Sequence, residues 1–321
     1  MKKIMIYDAG RHKVMTTGYG LMSLQFGERL KPLGYEINYY DENPNFQADM
    51  WLWIRPPHYV EYKQFVNTNI NVFFTMCEQA KFEGWKANWP TLLNRCNAVI
   101  TPTEWNKEVF VNAGVTKPIY VVPLGVDTKK YIGNKTREFS LLSVHEALGK
   151  DASRENWKEN LEAYYAIFYG THHTEVSYTF KSWNMSREGF YEYEKKLIDN
   201  NGYDRALLPR VDILDMELVP QDMNQLYGKS WVFIKNSQKE GWCLPALEAM
   251  AAGTRVIAFP IPSMPYLNSG NADFFQDRVQ LKAHIWANFR QWRKWRVEVD
   301  QWSWKNATDK LDKTLKEIMH V

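Results

Sequence analysis

The stretch SQKEGWCLPALEAMAAGTRVIAF, residues 237–259, sets Glu240 and Glu248 on either side of Pro245 and closes a run of alanines with Gly253. The apolar run before it, WVFIKNS, has the length and composition of a buried strand, and RVIAF after it reads as the next one. QKEGWCL is then the loop at the first strand's C-terminal end. Pro245 suits the first turn of a helix, where its missing N–H would have no partner, and Gly253 suits the stop. Glu240 is therefore expected in the loop and Glu248 in the first turn or so of the helix. The unpaired N–H groups of residues 241–246 would point into the space near Glu240, and a helix N-terminus beside a glycine binds phosphate well. Carboxylates at such a place repel a phosphate, so they are expected to accept hydroxyls, which a sugar and a ribose supply in number. The stretch fits a ligand made of sugar, diphosphate and nucleoside.

Working outward, strand-like and helical runs alternate. KIMIYD, YEINYY, MWLWI, NVFFTM and NAVIT read as strands, with helical candidates at 21–33 (Gly34 as the stop), 59–66, 85–95 and 105–113. PIYVVPLGVD ends that series, and a polar stretch follows it. The pattern restarts with FSLLSV, WKENLEAYYAIFYG, VSYTFKSW and REGFYEYEKKLIDN and runs on to RVIAF; the last forty or so residues read as helices. Alternation of this kind predicts an α/β chain with parallel sheets covered by helices. The expected units are 1–130 and 131–321, two Rossmann-like domains facing across a cleft, with the C-terminal helices in the second. Ligands are expected where strand C-termini meet that cleft.

Composition agrees with a globular chain: 321 residues, 45% hydrophobic and 24% charged, too long for one ordinary core. No apolar run is long enough to cross a bilayer, and MKKIMIYDAG lacks a signal peptide's h-region, so the expected location is the cytoplasm. Three cysteines without C-x-x-C spacing suggest neither a disulfide framework nor a zinc site. Charge is uneven. The whole chain is +3, yet the residues from Arg278 onward hold ten Lys and Arg against five Asp and Glu.

EGWCLPALEAMAAGTRVIA resembles the Glu-x7-Glu segment of the retaining GT-B glycosyltransferases of family four, the glycosyl transferases group one. TTGYGLMSLQFGERLKPLGYEI is similar to that family's N-terminal glycine loop and first helix. FFTMCEQ, NAVITPTEWNKEVFVNAGV and PIYVVPLGVD resemble its approach to the interdomain linker, and FSLLSVHEALGKDASRENW and SYTFKSW fall where it carries basic residues. The resemblance implies the GT-B fold and transfer of a sugar from a nucleoside diphosphate donor, with UDP the default nucleotide, to a hydroxyl acceptor with retention. It implies that Arg154 and Lys181 neutralise the departing diphosphate and that Glu240 binds the transferred sugar. The backbone of Gly241, Trp242, Cys243 and Leu244 would support sugar and phosphate, and Glu248 would bind the ribose. Gly18 and Gly20 would let the first domain approach the phosphates, and Glu78 stands on the acceptor side.

The sequence departs from that pattern at Arg154-Glu155, where the family often has Arg-Lys, and ALGKDAS lengthens the approach, which makes Lys150 an alternative first cation. His145 is expected as a packed strand-end histidine. No Asp-x-Asp occurs, so neither a metal nor another cofactor is expected. Two alternatives stand beside the transferase. One is a nucleotide-sugar binding protein without turnover. The other keeps the chemistry but takes an acceptor of hydroxymethylated DNA in place of a glycan or small molecule, with Arg290, Arg293, Lys294 and Arg296 among tryptophans to contact phosphates. The same four residues also suit the surface of helices that pack back on the domains.

Overall fold

A computed structural model describes residues 2–8, 10, 13, 17–60, 70–131, 133, 135, 138–149, 154–269, 271–291 and 299–320. In the first half, strands β1 (Lys2–Tyr7), β2 (Tyr35–Tyr39), β3 (Met50–Ile54), β4 (Ile70–Phe74), β5 (Ala98–Thr101) and β6 (Ile119–Val121) form one sheet in the order β2-β1-β3-β4-β5-β6. In the second half, β7 (Phe139–Leu148), β8 (Val176–Met185), β9 (Arg210–Asp215), β10 (Val232–Lys235), β11 (Arg255–Ala258) and β12 (Ala272–Phe274) form another, ordered β12-β11-β10-β7-β8-β9. Every registered pair is parallel. A chain that pairs parallel strands must return to the starting end each time, and helices supply most of those returns. They are α1 (Gly18–Leu30), α2 (Trp89–Leu93) and α3 (Glu104–Asn112) in the first half, then α4 (Trp157–Phe168), α5 (Arg187–Asn201), α6 (Pro220–Lys229) and α7 (Leu244–Ala251) in the second. Two more, α8 (Arg278–Gln291) and α9 (Trp304–Ile318), end the chain.

The expected alternation is present, and the differences have local causes. Strands β3 and β10 are buried at every position, as continuous apolar runs covered on both faces should be. Strand β12, with only three residues, carries too little periodicity to be read from sequence. Of the helical candidate at 59–66, Pro57–Tyr59 is a short 3-10 turn and 61–69 lie outside the described residues.

In the second sheet, chain order reverses between β7 and β10, which are neighbours. Loops leaving such a pair head to opposite faces and open a crevice at the strand C-termini. Glu155 follows β7 and Glu240 follows β10, so both belong to that crevice.

The C-terminal helices divide between the domains. α8 lies against α4 and β11, whereas α9 crosses back onto α1. Ser303 caps α9, and every third or fourth residue from Trp304 to Leu315 is buried while Lys305, Lys310, Lys313 and Lys316 face outward. Trp304 meets Phe26 edge-on at 5.3 Å, and the Tyr35 hydroxyl donates to Asp312 Oδ1 at 2.9 Å. The crossing is secured at the linker: Val126 N–H donates to Trp302 O at 2.8 Å and Trp304 N–H to Val126 O at 3.1 Å. The last helix, which follows the second sheet in sequence, thus covers α1 of the first half.

That crossing leaves no room beside the linker backbone. A Cβ on Gly125 would stand 2.4 Å from Trp304 N and 2.5 Å from the Ser303 carbonyl carbon. Backbone cannot swing aside as a long side chain can. Gly125→Ala is expected to lower stability by about 1–3 kcal/mol, the usual cost of overpacking. Urea unfolding of the variant and parent checks it; equal midpoints would contradict so close a crossing.

Candidate functional site

The site is built on the loop between β10 and α7. Cys243, immediately before α7, has φ +66°, a left-handed conformation that costs a non-glycine residue energy. Its neighbours hold it there. The buried Tyr266 hydroxyl lies 2.7 Å from Trp242 O and 2.6 Å from Cys243 O, sharing its hydrogen between them, and Ser263 Oγ donates to Glu240 O at 2.5 Å. The Trp242 ring turns inward, against Tyr266 and Trp302, and Leu244 joins the same core. Burial pushes the Cys243 thiol up to about 12, so it packs as a neutral group. Of residues 241–244, only backbone is available to a ligand beside Glu240.

The first domain presses on this loop. A Cβ on Gly241 would meet the Met76 side chain at 2.5 Å, and Asn106 Nδ2 donates to Gly241 O at 3.4 Å. Asn106 is itself fixed by Thr103, which caps α3, and it accepts from Cys77 N–H at 2.7 Å. Gly18 opens α1 beside Leu244, and the Gly20 N–H is taken by the capping hydroxyl of Thr17 at 3.1 Å.

Charge is concentrated at the crevice between β7 and β10. Lys235, the last residue of β10, is buried, with Nζ 2.6 Å from Glu155 Oε1 and 2.6 Å from Glu240 Oε1. Glu155 Oε2 accepts the Glu146 N–H at 2.7 Å and lies 3.4 Å from His145 Nδ1. Arg154 reaches Glu240 Oε2 at 3.9 Å, Glu146 at 3.4 Å and, across the cleft, Glu78 Oε1 at 2.5 Å. Burial alone would raise the Glu155 carboxyl, but Lys235 and His145 outweigh it and hold Glu155 well below the usual carboxylate range. Burial likewise works against the ammonium of Lys235, and the carboxylates of Glu155 and Glu240 overcome it. His145 is packed as expected, its ring on Phe180 and its Nε2 2.7 Å from Ser143 Oγ.

Arg154, Glu240 and Glu78 are therefore brought together. Lys181 stands apart: it is buried on β8, its Nζ donates to Ser182 O at 3.1 Å, and burial lowers its pKa against the opposing pull of Asp215 and Glu217. In register it pairs with Val144, one residue before His145, so it belongs to the same end of the sheet. Glu248 sits on α7 against the phenols of Tyr131 and Tyr227; burial raises its pKa, which the two phenols partly offset. Arg290 is exposed on α8, and Arg293, Lys294, Arg296 and Lys150 lie outside the described residues.

Sequence reasoning missed Lys235. The signal was a lysine closing the apolar run WVFIK five positions before Glu240, together with a glutamate at 155 that needed a buried partner.

Residues 211–275, from β9 to just past β12, match the family model for glycosyl transferases group 1. No curated protein matches the chain by sequence. Among solved structures it is similar to a sucrose-phosphate synthase from Thermosynechococcus elongatus, at 13% identity and TM-score 0.75 over 100% of both chains. It is also similar to a trehalose-6-phosphate synthase studied with bisubstrate glycomimetics, at 17% identity and TM-score 0.56 over 94% of this chain and 74% of that one. A third is the pneumococcal O-GlcNAc transferase GtfA in complex with UDP and GlcNAc, at 15% identity and TM-score 0.58 over 85% of this chain and 57% of that one. At such identities structural likeness speaks for the fold, while the matched segment is the one that carries Glu240 and Glu248. Residues 211–275 are thus similar to glycosyl transferases group 1, and the two six-stranded parallel sheets share the GT-B fold of these solved glycosyltransferases.

Proposed function

We propose that the protein is a retaining glycosyltransferase that moves a sugar from a UDP-sugar to a hydroxyl acceptor. One observation carries this: Glu240, on the loop that opens α7, is held between Lys235 and Arg154 at the crevice where the second sheet's chain order reverses. A carboxylate fixed beside cations suits a ligand that presents hydroxyls next to a diphosphate. The choice of UDP is supported by the UDP in the pneumococcal transferase, and retention by the glycosyltransfer with retention studied in the trehalose-6-phosphate synthase.

In this scheme Glu240 accepts hydroxyls of the transferred sugar and Glu248 those of the ribose. The acceptor oxygen bonds to the anomeric carbon as the bond to the diphosphate breaks, and the acceptor's proton passes to the leaving phosphate on the same face. Arg154 stabilises the charge that develops on the diphosphate; Lys181, outside the Arg154–Glu240 cluster but at the same end of the sheet, would serve as the second cation once it leaves the Ser182 carbonyl. Arg154 is engaged by Glu78 of the first domain, so an arriving diphosphate competes with that carboxylate for the guanidinium. The site needs no metal in this reading, because the fixed cations do the work of charge neutralisation. The acceptor in this scheme is a glycan or small molecule; of Arg290, Arg293, Lys294 and Arg296, on which a DNA acceptor would rest, Arg290 alone is among the described residues, exposed on α8.

Arg154→Ala and Lys181→Ala are each expected to cut turnover by ~10²-fold or more, because they remove charge stabilisation needed as the diphosphate leaves. Near-parental release of UDP by either variant would remove that residue from the mechanism. Glu248→Gln should instead raise the donor KM more than it lowers kcat; unchanged affinity for free UDP would contradict a ribose contact. Activity is expected to survive EDTA and to give a product with the donor's anomeric configuration. Proton NMR of the anomeric coupling reads the second point, and an inverted product would overturn the mechanism.

A further inference from the structure

We propose that Lys235 is a positioning residue of the donor site, which fixes the carboxylate of Glu240 by bridging it to the anchored carboxylate of Glu155. The proposal rests on the donor reading above and concerns how that site distinguishes one sugar from another.

The two carboxylates that Lys235 joins are held very differently. Glu155 is anchored: one oxygen takes the Glu146 N–H at 2.7 Å and lies 3.4 Å from His145, and the other is on Lys235. His145 is tied in turn to Ser143 at 2.7 Å, so this end of the bridge rests on β7. Glu240 belongs to a loop. Its Oε1 meets Lys235 at 2.6 Å, while Oε2 faces Arg154 at the longer distance of 3.9 Å. The first oxygen is thus the held one and the second is the one turned toward Arg154, where the diphosphate is placed. A glutamate side chain has several rotatable bonds, and without a fixed partner its carboxylate would sample positions across the crevice. Selective recognition of hydroxyls requires the opposite, an acceptor held to within about half an ångström.

The charge balance supports the same role. Among the described residues, Glu155, Glu240, Glu78 and Glu146 form ion pairs with Lys235 and Arg154. Arg154 is shared among three of the carboxylates and is the group assigned to the diphosphate. Lys235 is enclosed, 4% exposed, and both its close partners are carboxylates. It has no path to a phosphate without abandoning one of them. Its effect on the donor is therefore exerted through Glu240.

A purely structural role, as the counter-ion of Glu155, predicts something else, and a neutralised pair separates the two. Lys235→Met alone would leave two buried carboxylates uncompensated and could fail to fold. Lys235→Met combined with Glu155→Gln removes one charge of each sign and keeps an acceptor for the Glu146 N–H. The full chain, the double variant and Glu155→Gln alone are titrated calorimetrically with UDP, UDP-glucose, UDP-galactose and UDP-N-acetylglucosamine, after melting curves establish that each is folded. The double variant is expected to bind UDP within about threefold of the parent and to lose ~10-fold or more of the parent's discrimination among the three sugars, the scale of one misplaced hydroxyl contact. Glu155→Gln alone leaves Lys235 on Glu240 and should keep more discrimination than the double variant. Undiminished discrimination in the double variant, or equal losses in the two variants, would overturn the role of Lys235. A parent chain that binds none of the four would overturn the donor reading itself.

Discussion

Everything at the crevice depends on the burial of carboxylates at the end of a parallel sheet. A carboxylate withdrawn from water is stable only beside a cation or several hydrogen-bond donors, because desolvation otherwise exceeds what its surroundings return. Glu155 and Glu240, at 4% and 5% exposure, share one lysine, to which Glu155 adds the Glu146 N–H and Glu240 adds Arg154. The lysine can serve both because β7 and β10 are neighbours, so the loops leaving them meet at the end of β10 that Lys235 closes. The order of strands is what turns two distant stretches of sequence into one electrostatic unit. Such a unit contributes little net stability, yet loss of one member costs about 3–5 kcal/mol, which makes it a specifier of geometry more than a source of strength.

The two domains are held against each other by two different devices. Near the linker, α9 crosses from the second domain to α1, and its apolar stripe continues a core that includes Met22, Phe26 and Phe74 of the first domain and Leu244 and Ala246 of α7. At the cleft the contacts are polar and close: Arg154 to Glu78, and Asn106 to Gly241 backed by Met76. The apolar device is insensitive to a charged ligand, whereas the polar one is exposed to it.

The strained turn at Cys243 links these levels. Its positive φ sets the direction of the chain between Glu240 and α7, and Tyr266, from the segment after β11, offsets the cost with a hydroxyl shared between two carbonyls. Strain of this kind is retained where the surrounding packing determines it, and here Trp242 and Leu244 are buried on either side.

Much of the fold is legible in the sequence because its signals are local. Continuous apolar runs mark strands buried on both faces, and Pro245 and Gly253 bracket α7. With WVFIKNS before it, that bracket puts Glu240 in a loop and Glu248 on a helix, and the two parallel sheets bear out the expected α/β fold. What sequence could not supply was partnership. Nothing in the local pattern pairs Lys235 with Glu155, which lie 80 residues apart, or separates Lys181 from the Arg154–Glu240 cluster. Nor could the amphipathic period of α9 name the surface it covers, since a stripe records that a face is buried and not against what. By itself the sequence determined the elements, their alternation and the residue types offered to a ligand. Tertiary structure decided which of those residues meet, because a buried charge is satisfied by whatever strand order brings within about 3 Å of it.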